Sequence, residues 1–148
     1  MEGYKYIFIP MICLIICQII KFTMESYKYR SLEWNRLING AGGMPSAHAS
    51  FSFALTATLG QDLGISSPIF AISLIFSMIV CYDAMGVRFE SGKQAEVIND
   101  LAEIVEKEKR HRITFEHLKE QLGHKPMEVI MGILLGTIIS ILFNIYIF

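Results

Sequence analysis

The sequence predicts an all-α integral membrane bundle of about four transmembrane helices, with an amphipathic helical insertion between the third and the fourth. Three observations point there. Of the 148 residues 53% are hydrophobic, and they gather into long runs. Mean hydropathy is +0.44, high for a soluble chain of this length. Between the third and fourth runs the chain turns charged while keeping a helical period. The length suits one domain, so residues 1–148 read as a single membrane domain that carries residues 89–122 as a charged insertion.

The first run, residues 6–22, is followed by Lys21, Lys28, Arg30 and Arg36 without a small-residue cleavage site. It reads as a retained span rather than a signal peptide. The second, residues 47–59, is short and diluted by Ser50, Ser52, Thr56 and Thr58. A span needs roughly 20 apolar residues, so this helix is expected inside the bundle, shielded by its neighbours. Its Ala49, Ala54, Ala57 and Gly60 suit close helix packing. The third run covers residues 68–85 and the fourth residues 127–148, where Gly132 and Gly136 repeat a small-residue spacing that also reads as packing. In the insertion, Val97, Leu101, Ile104 and Val105, then Ile113, Phe115, Leu118 and Leu122, recur at helical spacing. One or two amphipathic helices outside the bilayer core are expected, with residues 106–110 as a solvated charged face.

If all four runs cross, residues 23–46 and 86–126 share one face of the membrane, and both termini and the 61–67 turn share the other. Of the 13 Lys and Arg, only Lys5 falls on the second face. The excess of positive charge then places the long loops in the cytoplasm and both termini outside, in a plasma membrane of bacterial type. The net charge of −1 gives no field suited to nucleic acid. Cys13, Cys17 and Cys81 all lie in apolar runs, are odd in number and show no metal spacing, so they read as buried thiols.

Two polar-to-apolar boundaries carry histidines. Residues 42–48, Gly-Gly-Met-Pro-Ser-Ala-His, lead into the second run; Ser46 offers a hydroxyl and His48 can give or take a proton at a helix start that favours anions. The bland alternative is a capped helix with an interfacial histidine. Residues 123–128, Gly-His-Lys-Pro-Met-Glu, set His124 and Glu128 at i, i+4, so that they can meet on one helix face. A carboxylate on one imidazole nitrogen fixes the tautomer and frees the other nitrogen to attack. Asp83 and Arg88 flank the end of the third run, and Lys21 closes the first on the same side. An ionisable group at membrane depth is costly and marks a candidate site, and the Arg88 guanidinium matches phosphate oxygens. A snorkelling anchor is the plainer reading of Lys21 and Arg88.

With those residues in view, the chain resembles the divergent branch of the type 2 phosphatidic acid phosphatases. The resemblance lies in Gly-Gly-Met-Pro-Ser-x-His, Asp-Ala-x-Gly-Val-Arg, Gly92-Lys93-Gln94-Ala95 and Leu-Gly-His-x-Pro-x-Glu-Val, and runs from about Gln18 to about Gly136. It implies that Lys21 and Arg30 (with Lys28 or Arg36 as substitutes) hold phosphate and that Ser46 binds it. It implies that His48 protonates the leaving group, that Arg88 neutralises charge, and that His124 attacks with Glu128 orienting it. Val87 stands where the superfamily has serine, and Glu128 where it has aspartate. More than thirty residues separate Arg88 from His124, where the superfamily has only a few. Lys93 and Gln94 belong to the shared motif as supporting residues. Asp83 has no role in the parent mechanism; pairing with Lys21 or positioning of His48 is expected.

The expected function is a membrane phosphatase acting on a lipid phosphate monoester, such as phosphatidylglycerol phosphate or phosphatidic acid, through a phosphohistidine. No metal or other cofactor is expected. Expected partners are the lipid substrate and membrane lipids, with self-association through the insertion as a further expectation. The alternative is a non-catalytic membrane protein or scaffold that uses the same pocket to bind anionic headgroups.

Overall fold

The computed structural model describes residues 2–29, 43–107, 117–118 and 123–147. Among the described residues are the α-helices α1 (Lys5–Tyr29), α2 (Ala47–Leu63), α3 (Pro68–Met85), α4 (Val87–Lys107) and α5 (Pro126–Tyr146). The all-helical membrane bundle expected from the sequence is what forms, with one difference. Among the described residues, three helical stretches are long and apolar enough to cross a bilayer: Lys5–Met24, Pro68–Lys107 and Pro126–Tyr146. The remaining bundle helix, α2, has 17 residues, about 25 Å at helical rise.

The placement of α2 explains its composition. It packs against α1, α3 and α5, and so forms the centre of the bundle. Ser50, Ser52, Thr56 and Thr58 are buried there, and their hydroxyls bond backbone carbonyls one turn back. Thr58 Oγ1 donates to the Ala54 carbonyl at 2.8 Å and Ser50 Oγ to that of Ala47 at 3.1 Å. A helix surrounded by protein can carry hydroxyls that a lipid-facing helix cannot. The outer helices show the opposite pattern. Ile69, Ile72, Ile75, Met78 and Ile79 of α3, and Ile130, Leu134, Ile138 and Leu142 of α5, are exposed, an apolar surface suited to a bilayer.

Close backbone approach holds α2 to α5. A Cβ on Gly132 would collide with the Ser46 carbonyl and the Ala49 side chain, and one on Gly136 with the Ser50 carbonyl. Cys13 and Ala54 then pack on Ile139, and Ala49 and Cys81 on Val129. All three cysteines are buried and reduced. At one end of the bundle Lys5 pairs with Asp62 at 2.7 Å, joining α1 to α2, and Asn144 of α5 donates to Asp62 at 3.1 Å.

Capping residues set the turns. Ser67 accepts from the Phe70 N–H at 3.1 Å, and Pro68 begins α3. At Gly86 the helix breaks for a single residue, and α4 starts at Val87, two residues before the insertion expected from the sequence. The α4 helix buries Gly92, Ala95 and Asn99 while exposing Val97, Leu101, Ile104 and Val105. Most of the second periodic stretch of the insertion, including Ile113, Phe115 and Leu122, lies outside the described residues, as do Arg30 and Arg36.

Candidate active site

The two histidine-bearing boundaries meet at the end of the bundle remote from the Lys5–Asp62 pair. The loop before α5 is tied to α3, where the His124 N–H donates to the Ala84 carbonyl at 2.9 Å. Gly123 lies against the backbone of Phe89 at the start of α4, too close for any Cβ. The loop before α2 is tied to α5, where the Ser46 N–H donates to the Glu128 carbonyl at 2.8 Å. These backbone bonds set the histidine rings 6.2 Å apart between centroids, at an interplanar angle of 65°.

His124 is only 4% exposed. Its Nδ1 lies 2.9 Å from Glu128 Oε2. A carboxylate oxygen only accepts, so Nδ1 carries the proton and the neutral ring holds its lone pair on Nε2. The same Oε2 accepts from the Lys125 N–H at 3.2 Å, which locks the carboxylate at the first turn of α5. Burial pushes the His124 imidazole below the usual histidine range. The Glu128 hydrogen bond pulls it back up in part, while the positive charges of Lys21 and Arg88 push it down. The ring is therefore neutral at neutral pH, the form a nucleophile needs.

A cleft of about 460 Å³ opens from this pair. Lys21, His48, Arg88 and His124 line its polar end, and Met11, Leu14, Phe51, Leu55, Phe76 and Val80 its apolar length. Helices α1 and α3 do not pack against each other, so the cleft lies in the seam between them with α2 as its floor. Lys21 is 7% exposed, a lysine brought into the protein at the end of a membrane helix. Arg88 is half-exposed and pairs through Nε with Asp83 Oδ2 at 2.8 Å. It stands between the main cleft and a smaller groove of about 280 Å³ lined by His48, Ile79, Val80, Asp83 and Ala84.

Of the residues singled out in the sequence, His48, His124, Lys21 and Arg88 line one cleft, and Glu128 supports it from behind His124. Others sit elsewhere. Ser46 is fully buried, and its hydroxyl accepts from the Ala49 N–H at 3.4 Å, so it caps α2 instead of lining the cleft. Asp83 has Arg88 as its ion-pair partner. Lys93 pairs with Glu90 at 2.9 Å on the exposed surface of α4, with its ammonium over the Phe89 ring, and Gln94 is exposed beside it. Arg30 lies outside the described residues. Sequence reasoning missed Gln18, Ser52, Ser73 and Ser77, which also line the cleft. The usable signal was a pair of i, i+4 hydroxyl stripes, Ser52 with Thr56 and Ser73 with Ser77, on consecutive apolar helices. Among the described residues, no three His, Cys, Asp or Glu side chains are grouped so as to hold a metal ion.

Comparison with known proteins places the chain in a family. The chain is 37% identical over 142 residues to the uncharacterized membrane protein YuiD of Bacillus subtilis (strain 168), a match that covers 86% of each chain. No solved structure matches. The family described as the Divergent PAP2 family matches residues 3–139, which takes in α1 to α4, the first two-thirds of α5 and both histidine loops. The chain belongs to the Divergent PAP2 family.

Proposed function

We propose that this protein is a phosphatase for lipid phosphate monoesters, working through a phosphohistidine at His124. The observation that carries the proposal is the buried His124–Glu128 pair facing His48 in a cleft that is cationic at one end and apolar along its length. His124 Nε2 attacks phosphorus as the bond to the leaving oxygen breaks, and protonated His48 gives that oxygen its proton, releasing the alcohol. Neutral His48 then takes a proton from water as the water oxygen attacks phosphorus. The P–N bond breaks, its electron pair returns to Nε2, and inorganic phosphate leaves. Lys21 and Arg88 offset the charge on the non-bridging oxygens. An apolar seam open to the bilayer suits a substrate whose tail stays in the membrane while its phosphate reaches the histidines. The distribution of Lys and Arg supports a cytoplasmic location for this end, and phosphatidic acid and phosphatidylglycerol phosphate are the first substrates to try.

The test is phosphate release by purified protein in detergent, across a panel of lipid phosphates without added metal, with His124→Ala beside wild type. Release by wild type that is lost in the variant is the expected result. No release from any lipid by folded protein would overturn the proposal in favour of a headgroup-binding role.

A further inference from the structure

Below the histidines the cleft carries hydroxyls that the phosphatase chemistry leaves unused. Ser52 of α2 and Ser73 and Ser77 of α3 line it, while Thr56 is buried between them. Counting protons shows what they offer a ligand. Thr56 Oγ1 has one proton and two lone pairs. It donates to the Ser52 carbonyl at 3.1 Å, and lies 2.8 Å from Ser73 Oγ and 2.9 Å from Ser77 Oγ. We assign the Thr56 proton to the Ser52 carbonyl, in which case Thr56 accepts from both serines. The Ser52 hydroxyl in turn donates to the Ala49 carbonyl at 3.3 Å. In that assignment all three serines direct their protons inside the protein and face the cleft with lone pairs. A ligand ester oxygen, itself an acceptor, finds no donor among them, whereas a ligand hydroxyl finds an acceptor.

Depth narrows the match. Ser52 is one helical turn from His48, and Thr56 two turns, or about 6 and 12 Å at helical rise. Thr56 touches both Ser73 and Ser77, and α3 runs antiparallel to α2, so Ser77 is the nearer of the two to the histidines. Ser52 and Ser77 therefore lie on the histidine side of the Thr56 cluster, about 6 to 12 Å from His48 along the helix axis. Gln18 lines the same cleft from α1, and its amide can donate to the oxygen of a hydroxyl held there.

We propose that Ser52 and Ser77 form a subsite for a free hydroxyl on the lipid backbone, so that the cleft selects lipid phosphates with a hydroxyl close to the phosphate ester over those that lack one. The proposal rests on the lipid-phosphate reading above, and binding tests it separately from turnover. In the His124→Ala background, which removes the nucleophile, affinities are measured in detergent for 1-oleoylglycerol 3-phosphate and for its 2-deoxy counterpart. One buried hydrogen bond predicts about fivefold tighter binding of the hydroxyl-bearing lipid. Adding Ser52→Ala and Ser77→Ala together should bring the ratio close to one while leaving affinity for the 2-deoxy lipid unchanged. Ser52→Ala alone, which removes only a bond within its own helix, should lower the ratio without disturbing the Thr56 cluster. Equal binding of the two lipids before these substitutions, or a preference that survives them, overturns the proposal. If neither lipid releases phosphate with wild-type protein while the binding preference holds, the phosphatase reading fails and the hydroxyl subsite stands.

Discussion

Replacing Glu128 by glutamine separates two jobs of this carboxylate, its charge and its geometry. Oε2 accepts from both His124 Nδ1, at 2.9 Å, and the Lys125 N–H, at 3.2 Å. In Glu128→Gln the atom at that position must still accept from the Lys125 N–H, so the amide oxygen, not the amide nitrogen, faces His124. The tautomer with Nε2 free to attack is then preserved, and what is lost is the negative charge behind a ring that turns positive as it bonds to phosphorus. A charge-assisted hydrogen bond exceeds a neutral one by about 1–2 kcal/mol, which corresponds to about a 5- to 30-fold fall in kcat. KM should change little, because Glu128 does not line the cleft. The assay is steady-state phosphate release in mixed micelles, with thermal unfolding as a control. Activity as low as in His124→Ala would show that the amide had turned and reversed the tautomer, refuting the argument from Lys125. Unchanged kcat would reduce Glu128 to an acid at a helix N-terminus.

Burial holds His124 below the usual histidine pKa, helped by Lys21 and Arg88 and opposed by Glu128. The acid limb of kcat/KM that reports this nucleophile should therefore lie below pH 6.5, and Glu128→Gln should move it lower still; a limb above 6.5 contradicts the assignment. The linked stability has the same origin, because a neutral buried imidazole favours the fold above the unfolded pKa and that contribution is lost as pH falls through the folded value. Unfolding temperature should therefore drop below about pH 6.5, and drop less in His124→Ala. Gly136→Ala drives a methyl into the Ser50 carbonyl, so overpacking should cost about 1–3 kcal/mol, read as a lower unfolding temperature; an unchanged one refutes the close α2–α5 contact. Asp62→Ala leaves Lys5 without its 2.7 Å partner at the end of the bundle far from the histidines. It should lower the unfolding temperature while kcat at permissive temperature stays within about twofold, since removing one member of a partly buried pair costs stability locally.

Much of this was legible in the chain because membrane and helix geometry constrain it strongly. The i, i+4 spacing of His124 and Glu128 gave their contact directly, and the crossing count put Lys21, His48, Arg88 and His124 at one end before any fold was known. Other residues misled because their signals were local. Ser46 looked like a phosphate donor, but a serine before a helix is also a cap, and burial decided for the cap. Lys93 and Gln94 carry the family motif, yet the break at Gly86 lets α4 restart with those side chains turned to its exposed surface. Ser52, Ser73 and Ser77 passed as ordinary packing hydroxyls. Only the failure of α1 and α3 to meet, a tertiary fact, opens them to a cleft.

The proposed reaction passes through a covalent intermediate on His124. The direct measurement is mass-spectrometric mapping of protein quenched at alkaline pH during turnover of a lipid phosphate, where a phosphoramidate survives. A phosphoryl group is expected on His124, absent in His124→Ala and more abundant when His48→Ala slows its hydrolysis. Phosphate release with no such adduct, or an adduct on another residue that persists in His124→Ala, would contradict it.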